Sequence, residues 1–332
     1  MTRQRHKRRA TFDRMSVTTL HELTSSCSSL HRAVTAHCKR EYRRKRLPDR
    51  AARSAVAGND VATTVCAMKR AAAAMMSSPA GRGVIITGGS SGIGLALTTA
   101  LLQKPEYTVF VTGTRPLALT ELAPVVEKFS ATDRIRYSQG DTGDELIVKN
   151  QCNEAIQYFG DREVPFSGLC INAGIGGGRY ALEDFDVERF DKMFQTNVRG
   201  VFLWLKQALP TLKSTASVSS QIVVTSSVMG SRPVAMAGPY CASKYAVNGL
   251  VLSLRAELKA SGHTHVKCGL VCPAGVATPW WEDKARGFTA PDAPPPDTSK
   301  FLKPEAVANA CMAMLEQDSS SNAESVMLDA TG

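Results

Sequence analysis

No run of about 18 consecutive apolar residues occurs in the 332-residue chain, which excludes an ordinary membrane-spanning helix. Cysteine pairing motifs are missing as well. The nine cysteines are scattered, with no CxxC and no metal-ligand spacing among them. That pattern excludes a zinc ribbon and a disulfide framework. It fits free thiols in a reducing compartment, most of them small core residues. Acidic residues are scarce at the start: residues 1–80 hold 17 Lys and Arg against 5 Asp and Glu, a net of +12. The other 252 residues hold 23 against 25, a net of −2, so the basic character of the whole belongs to its first quarter.

The basic quarter, with segments such as "RQRHKRR" and "KREYRRKR", has few aromatic or β-branched residues. It cannot bury enough apolar surface to offset its ordering entropy, and disorder is expected. Three roles compete for it. An Arg-rich, Ser-rich, acid-poor leader fits an organellar transit peptide. The basic run Arg43 to Arg46, with Lys39 and Arg40 nearby, fits a nuclear signal or a nucleic-acid contact. The favoured reading is an extension without a role, or one not translated, because Met68, Met75 and Met76 all precede the first strand.

From residue 81 onward apolar runs alternate with amphipathic stretches. Strands are expected at 83–87, 107–113, 135–141, 168–174, 221–227, 266–275 and 325–332, with helices over Gly92 to Leu102 and Leu117 to Phe129 among those between. Such alternation predicts α/β architecture: one Rossmann-like, doubly wound domain over 81–332, with a mainly parallel seven-stranded sheet and helices on both faces. Ligands bind beyond the carboxyl ends of the strands in such sheets.

The first strand runs into "VIITGGSSGIGLAL", residues 84–97. Leu95 and Ala96 stand where a nucleotide-triphosphate loop needs Lys and Ser or Thr. The dinucleotide pattern GxGxxG fails too, since the spacing of Gly88, Gly92 and Gly94 is G-x-x-x-G-x-G. The physical logic nevertheless holds. Gly88 permits a tight turn, Gly92 lets backbone approach a pyrophosphate, and Gly94 allows close helix–strand packing. The helix N-terminus at Gly92–Ile93 then directs free N–H groups at phosphate. Beyond the second strand stand Thr114 and Arg115, with no Asp or Glu between Tyr107 and Thr120. An arginine there pairs with a 2′-phosphate, where an acid would take a ribose hydroxyl, so NADP(H) is expected over NAD(H). Asp141, followed by Thr142, offers an acceptor to the adenine amino group.

Tyr240 and Lys244 lie four apart on one helical face, thirteen residues after Ser227. An ammonium beside a phenol stabilises phenolate and lowers the tyrosine pKa, which suits Tyr240 to exchange a proton with a carbonyl–alcohol pair. Ser227 is placed to hydrogen-bond the same oxygen.

With these motifs in hand, the chain resembles the short-chain dehydrogenase/reductase family across 81–332. The matching stretches are "TGGSSGIG", "NAG" at 172–174, "QTNVRG" with Asn197, "SS" at 226–227, "YCASK" at 240–244 and "LKPEAVANACMAML". The resemblance implies a catalytic set of Asn197, Ser227, Tyr240 and Lys244. Tyr240 would be the acid/base and Ser227 would polarise the carbonyl. Lys244 would hold the nicotinamide ribose and lower the Tyr240 pKa, and Asn197 would support a water relay to Lys244. Gly88, Ser90, Ser91, Gly92, Ile93 and Gly94 would form the cofactor turn. Asn172, Ala173 and Gly174 would border the adenosine ribose, and Pro273, Val276 and Thr278 the nicotinamide. The family's Pro-Gly reads "PAGVAT" here, with Ala274 in the glycine position, and Ile171 replaces a common second Asn.

The leading expectation is therefore an NADP(H)-dependent oxidoreductase acting on a small-molecule carbonyl or secondary alcohol. The resemblance adds a homodimer or homotetramer built on the helix after Tyr240 and on "VRGVFLWLKQAL". Cytoplasmic location is expected, or an organelle if the leader is a transit peptide. Neither nucleic acid nor a membrane span is expected. The rivals are a dinucleotide-binding sensor without turnover and an adaptor acting through the basic tail. The loop "WWEDKARGFTAPDAPPPDTS" offers Trp280, Trp281 and Phe288 either as an apolar lid or as aromatics packed on the body. In it Lys284 and Arg286 could anchor an anion, unless Glu282 and Asp283 cancel their charge. His263 and His265 lack a third ligand and read as surface residues.

Overall fold

In the computed structural model the described residues are 81–332, without 216–217, 284–285, 290–292 and 332. The basic extension, with every expectation attached to it, and Lys284 lie outside them.

Seven strands form one sheet in the order β3-β2-β1-β4-β5-β6-β7. They are β1 (Arg82–Thr87), β2 (Tyr107–Gly113), β3 (Ile135–Gln139), β4 (Phe166–Ile171), β5 (Ser220–Thr225), β6 (Val266–Pro273) and β7 (Ser325–Leu328). Every neighbouring pair is parallel, in registers such as Ile85↔Phe110 and Ile85↔Leu169. The sheet is thus wholly parallel where a mainly parallel one was expected. Strand order reverses at β1, whose neighbours are β2 and β4, and this switch point opens a crevice at the strands' carboxyl ends.

Helices cover both faces, so the strands are apolar at successive positions rather than alternately. Ile85 of β1 packs with Leu169, Trp204, Val247 and Val251 on one side. Val84 and Ile86 join Leu97, Leu101, Val307 and Met314 on the other. Each such side chain, fully buried, contributes roughly 1.5–3 kcal/mol by leaving water.

The helices are α1 (Gly92–Leu102), α2 (Ala123–Phe129), α3 (Glu145–Gly160), α4 (Val187–Phe194), α5 (Gly200–Ser214), α6 (Gly238–Ala260) and α7 (Pro304–Leu315). The single helix expected over Leu117 to Phe129 is broken into a 3₁₀ turn at Leu117–Leu119 and α2, with Thr120 extended between them. Pro124 explains the break. Proline fits the first turn of a helix but lacks the N–H needed to continue one from Thr120. Strands β3, β4, β5 and β6 stop two or three residues earlier than the sequence pattern indicated, which moves Asp141, Asn172, Ser227 and Gly275 into the loops above the sheet.

Candidate active site

The turn after β1 is shaped by its glycines. Gly92 has φ +53°, and a Cβ there would meet the Thr278 side chain at 3.1 Å. At Gly94 a Cβ would stand 2.3 Å from the Gly88 carbonyl oxygen, so the helix rests on the turn with no room for a side chain. Ser91 at the N-cap of α1 makes no capping bond, and the first helical turn holds no acid. The N–H groups there face a cleft of about 750 Å³ lined by Gly88, Ser90, Ser91, Gly92 and Ile93. This is a cradle for an anionic group, and a pyrophosphate fits its donors and the sign of the helix dipole.

At one end the same cleft is lined by Thr114, Arg115, Asp141, Thr142 and the Asn172–Gly174 stretch. Lys192, which the sequence reading passed over, donates to Asp141 Oδ2 at 2.6 Å, and the Gly143 N–H donates to Oδ1 at 2.8 Å. Burial pushes the Asp141 carboxyl up, but these two donors outweigh it and hold the group below the usual carboxylate range. Thr142 Oγ1 accepts from Trp204 Nε1 at 2.9 Å. Asn172 Nδ2 donates to the Gly88 carbonyl at 3.3 Å, tying the β4 loop to the glycine turn. Glu121 also lines this end, just past the acid-free stretch.

At the other end stand Ser227, Tyr240, Lys244, Pro273, Val276 and Thr278. Of the expected site residues only Gly94 and Asn197 are not on the wall; Gly94 packs against Gly88 and Asn172, and Asn197 Oδ1 against Gly174. Lys244 is buried, donates to the Thr225 carbonyl at 3.2 Å, and its Nζ lies 5.7 Å from the Tyr240 ring centre. Burial pulls its ammonium down to about 8. The Tyr240 phenol departs from the sequence expectation. Burial pushes it well above its ordinary range, the Ser227 hydroxyl only partly opposes that rise, and Lys244 does not bring the value down. At neutral pH the phenol therefore holds its proton.

Asn197 sits in a π-helical turn, Gln195–Arg199, between α4 and α5. Its amide accepts from Ile175 N at 2.8 Å, donates to the Ile175 carbonyl at 2.8 Å, and donates to Ser243 Oγ at 3.1 Å. Ser243 Oγ in turn donates to the Tyr240 carbonyl at 2.8 Å. Ser226 donates to Asn248 Oδ1 at 2.6 Å, and Asn248 Nδ2 donates to the Gly230 carbonyl at 3.0 Å, bracing the serine loop against α6. The departure at Ala274 costs nothing in backbone geometry. Its φ is not positive, and its N–H donates to the Leu328 carbonyl at 2.8 Å.

Trp280 and Trp281 line the cleft near Tyr240, while Phe288 is buried against Ala237 and Cys241 and is not on the wall. Phe288 and Trp280 stack with centres 5.8 Å apart, and Phe288 lies 5.1 Å from the Tyr240 ring. Trp281, also on the cleft wall, donates to the Val276 carbonyl at 2.7 Å. His263 and His265 form no metal cluster; among the described residues no group of three or more candidate ligands occurs.

A family model described as short chain dehydrogenase matches residues 82–287. The chain belongs to that family of oxidoreductases. It is 34% identical over 209 residues to 2-(R)-hydroxypropyl-CoM dehydrogenase of Xanthobacter autotrophicus, covering 60% of this chain and 76% of that protein. Among solved structures, an alcohol dehydrogenase of Thermococcus sibiricus complexed with 5-hydroxy-NADP superposes with a TM-score of 0.62 at 25% identity, covering 76% of this chain and 97% of that one. A short chain dehydrogenase of Burkholderia cenocepacia in complex with NADP gives a TM-score of 0.63 at 25% identity, over 75% of this chain and 97% of that one.

Proposed function

We propose that residues 81–332 form the catalytic domain of an NADP(H)-dependent oxidoreductase that interconverts a carbonyl compound and a secondary alcohol. The observation that carries this reading is one cleft holding both the glycine turn with its unengaged helix N-terminus and, at its far end, Ser227, Tyr240 and Lys244. Support for NADP(H) comes from Arg115 in the cleft and from NADP-type ligands in two structural neighbours.

The residues divide the work as follows. Gly88 to Ile93 hold the pyrophosphate, Arg115 the 2′-phosphate, and Asn172 to Gly174 the adenosine ribose. Pro273, Val276 and Thr278 meet the nicotinamide, which when bound supplies or takes up the hydride. In reduction the protonated Tyr240 phenol gives its proton to the carbonyl oxygen while the Ser227 hydroxyl hydrogen-bonds the same oxygen. Lys244 holds the nicotinamide ribose. Positioned acid–base help of this kind is worth roughly 10²–10⁴-fold in rate. Asn197 positions the set by clamping the Ile175 loop to Ser243. Trp280 and Trp281 on the cleft wall favour a bulky, apolar carbonyl substrate.

Assembly as a homodimer or homotetramer is part of the same reading. Phe202 on α5, and Tyr245 and Leu252 on α6, present apolar surface at 47%, 46% and 40% exposure on the two helices expected to pair. The six cysteines among the described residues are buried free thiols, which fits a cytoplasmic setting.

Side-by-side titration of the full chain with NADPH and NADH, followed by a carbonyl screen on wild type and Tyr240→Phe, tests the proposal. Tighter NADPH binding and turnover lost in the variant are expected. A well-folded protein that binds neither dinucleotide contradicts it.

A further inference from the structure

Arg286 belongs to the loop after β6, at the substrate end of the chain's order, yet its side chain is not directed to the substrate end of the cleft. Its Nη1 lies 3.4 Å from Thr114 Oγ1, a contact across 172 residues that brings a second guanidinium to the end of β2 beside Arg115. The placement is held from two directions. Asp283 Oδ2 accepts from Arg286 Nε at 2.7 Å and Asp283 Oδ1 accepts from its backbone N–H at 3.0 Å, which fixes the plane of the guanidinium. The Arg286 carbonyl accepts from Gly176 N at 2.7 Å, and the Gly287 carbonyl from Gly178 N at 2.9 Å, which pins this part of the loop to the segment after β4.

The charges facing this end of the cleft make a second cation useful. Glu121, Asp141, Lys192, Glu282 and Asp283 line the same space as the two arginines. Asp141 is neutralised by Lys192, and Asp283 is engaged by Arg286, but Glu121 and Glu282 set carboxylates against any incoming anion. A phosphate monoester at neutral pH carries about −1.5 to −2 charges and accepts bidentate bonds from guanidinium groups. Arg115 alone leaves roughly one of those charges unmatched while Glu121 and Glu282 oppose it.

We propose that Arg286 is a second partner of the cofactor's adenosine 2′-phosphate, acting with Arg115 across the cleft. The inference rests on the NADP(H) reading and deepens it. A purely structural role, an ion pair that shapes its own loop, would alter folding or both nucleotides alike; a 2′-phosphate partner alters only ligands carrying that group.

Calorimetric titration with 2′,5′-ADP and 5′-ADP, neither of which has a nicotinamide, separates the possibilities without any turnover. The full-length wild type is expected to bind 2′,5′-ADP more tightly. Arg286→Gln should lose about tenfold or more of that affinity while 5′-ADP changes less than about twofold, and Arg286→Lys should fall between. An Arg286→Gln protein that keeps the full preference for 2′,5′-ADP, or weakens both nucleotides equally, overturns the role of Arg286 and leaves the NADP(H) reading intact. A wild type with no preference between the two overturns both.

Discussion

Asn197 Nδ2 and Ser243 Oγ are joined at 3.1 Å, a bond that couples the π-helical turn to the helix bearing Tyr240 and Lys244. With the two bonds to the half-buried Ile175 backbone, the side chain satisfies three polar groups at once. Removing it strands polar groups that water reaches poorly, at a cost of about 1–3 kcal/mol for each one left unpaired. Asn197→Ala should therefore lose about 2–4 kcal/mol in urea unfolding and depress kcat more than KM. Unchanged stability would show that the clamp is not the role of this residue.

Gly94 offers a sharper steric test. A Cβ placed 2.3 Å from the Gly88 oxygen forces the turn and α1 apart. Overpacking of this sort costs typically about 1–3 kcal/mol. Gly94→Ala should lower the melting temperature and weaken NADPH at least about tenfold, read by thermal melts and fluorescence titration. A variant that binds normally would mean that helix–turn contact does not set the phosphate cradle.

Lys244 gives a pH dependence with a definite sign. Burial brings its ammonium down to about 8, and an anionic ligand in the same cleft favours the charged form and raises the value again. The affinity due to that charge is fully present below about pH 8 and is lost as pH climbs through the raised value in the complex. NADPH affinity should fall above about pH 8, and binding there should take up a proton, seen by calorimetry in buffers of differing ionisation heat. Lys244→Met should flatten the profile. A flat wild-type profile would separate Lys244 from the cofactor.

Phe202 and Tyr245 carry the assembly prediction. Replacing either half-exposed ring by Asp puts charge into the proposed contact while leaving the core untouched. Light scattering should show the wild type as a dimer or tetramer and the variants as smaller species with retained secondary structure. A monomeric wild type would contradict this part of the reading.

Much of this was legible in the sequence, for reasons that differ by residue. The glycine turn and the Tyr240–Lys244 spacing are local, so their geometry follows from a strand, a tight turn and a helical period. Strand ends were overrun because the apolar pattern continues into loops that also face the protein, as at Asn172 and Ser227. The break at Thr120 had a visible signal in Pro124. Asn248 had one too, since it lies one helical turn beyond Lys244, and it went unnoticed. Lys192 on Asp141, and Arg286 against Thr114, join segments 51 and 172 residues apart. Nothing periodic marks such contacts, which exist only once the chain has folded. The Tyr240 phenol shows the limit of pairwise reasoning: a neighbouring ammonium was expected to dominate, and burial does.

Isotope transfer tests the central claim most directly. The full chain is incubated with NADPH deuterated at nicotinamide C4 and a panel of bulky apolar ketones, and products are read by mass spectrometry. Hydride transfer with Tyr240 as proton donor predicts deuterium on the carbinol carbon of at least one product, and none with a Tyr240→Phe variant that still binds NADPH. Tight NADPH binding by the wild type with no label in any product, or equal label from the variant, would contradict it.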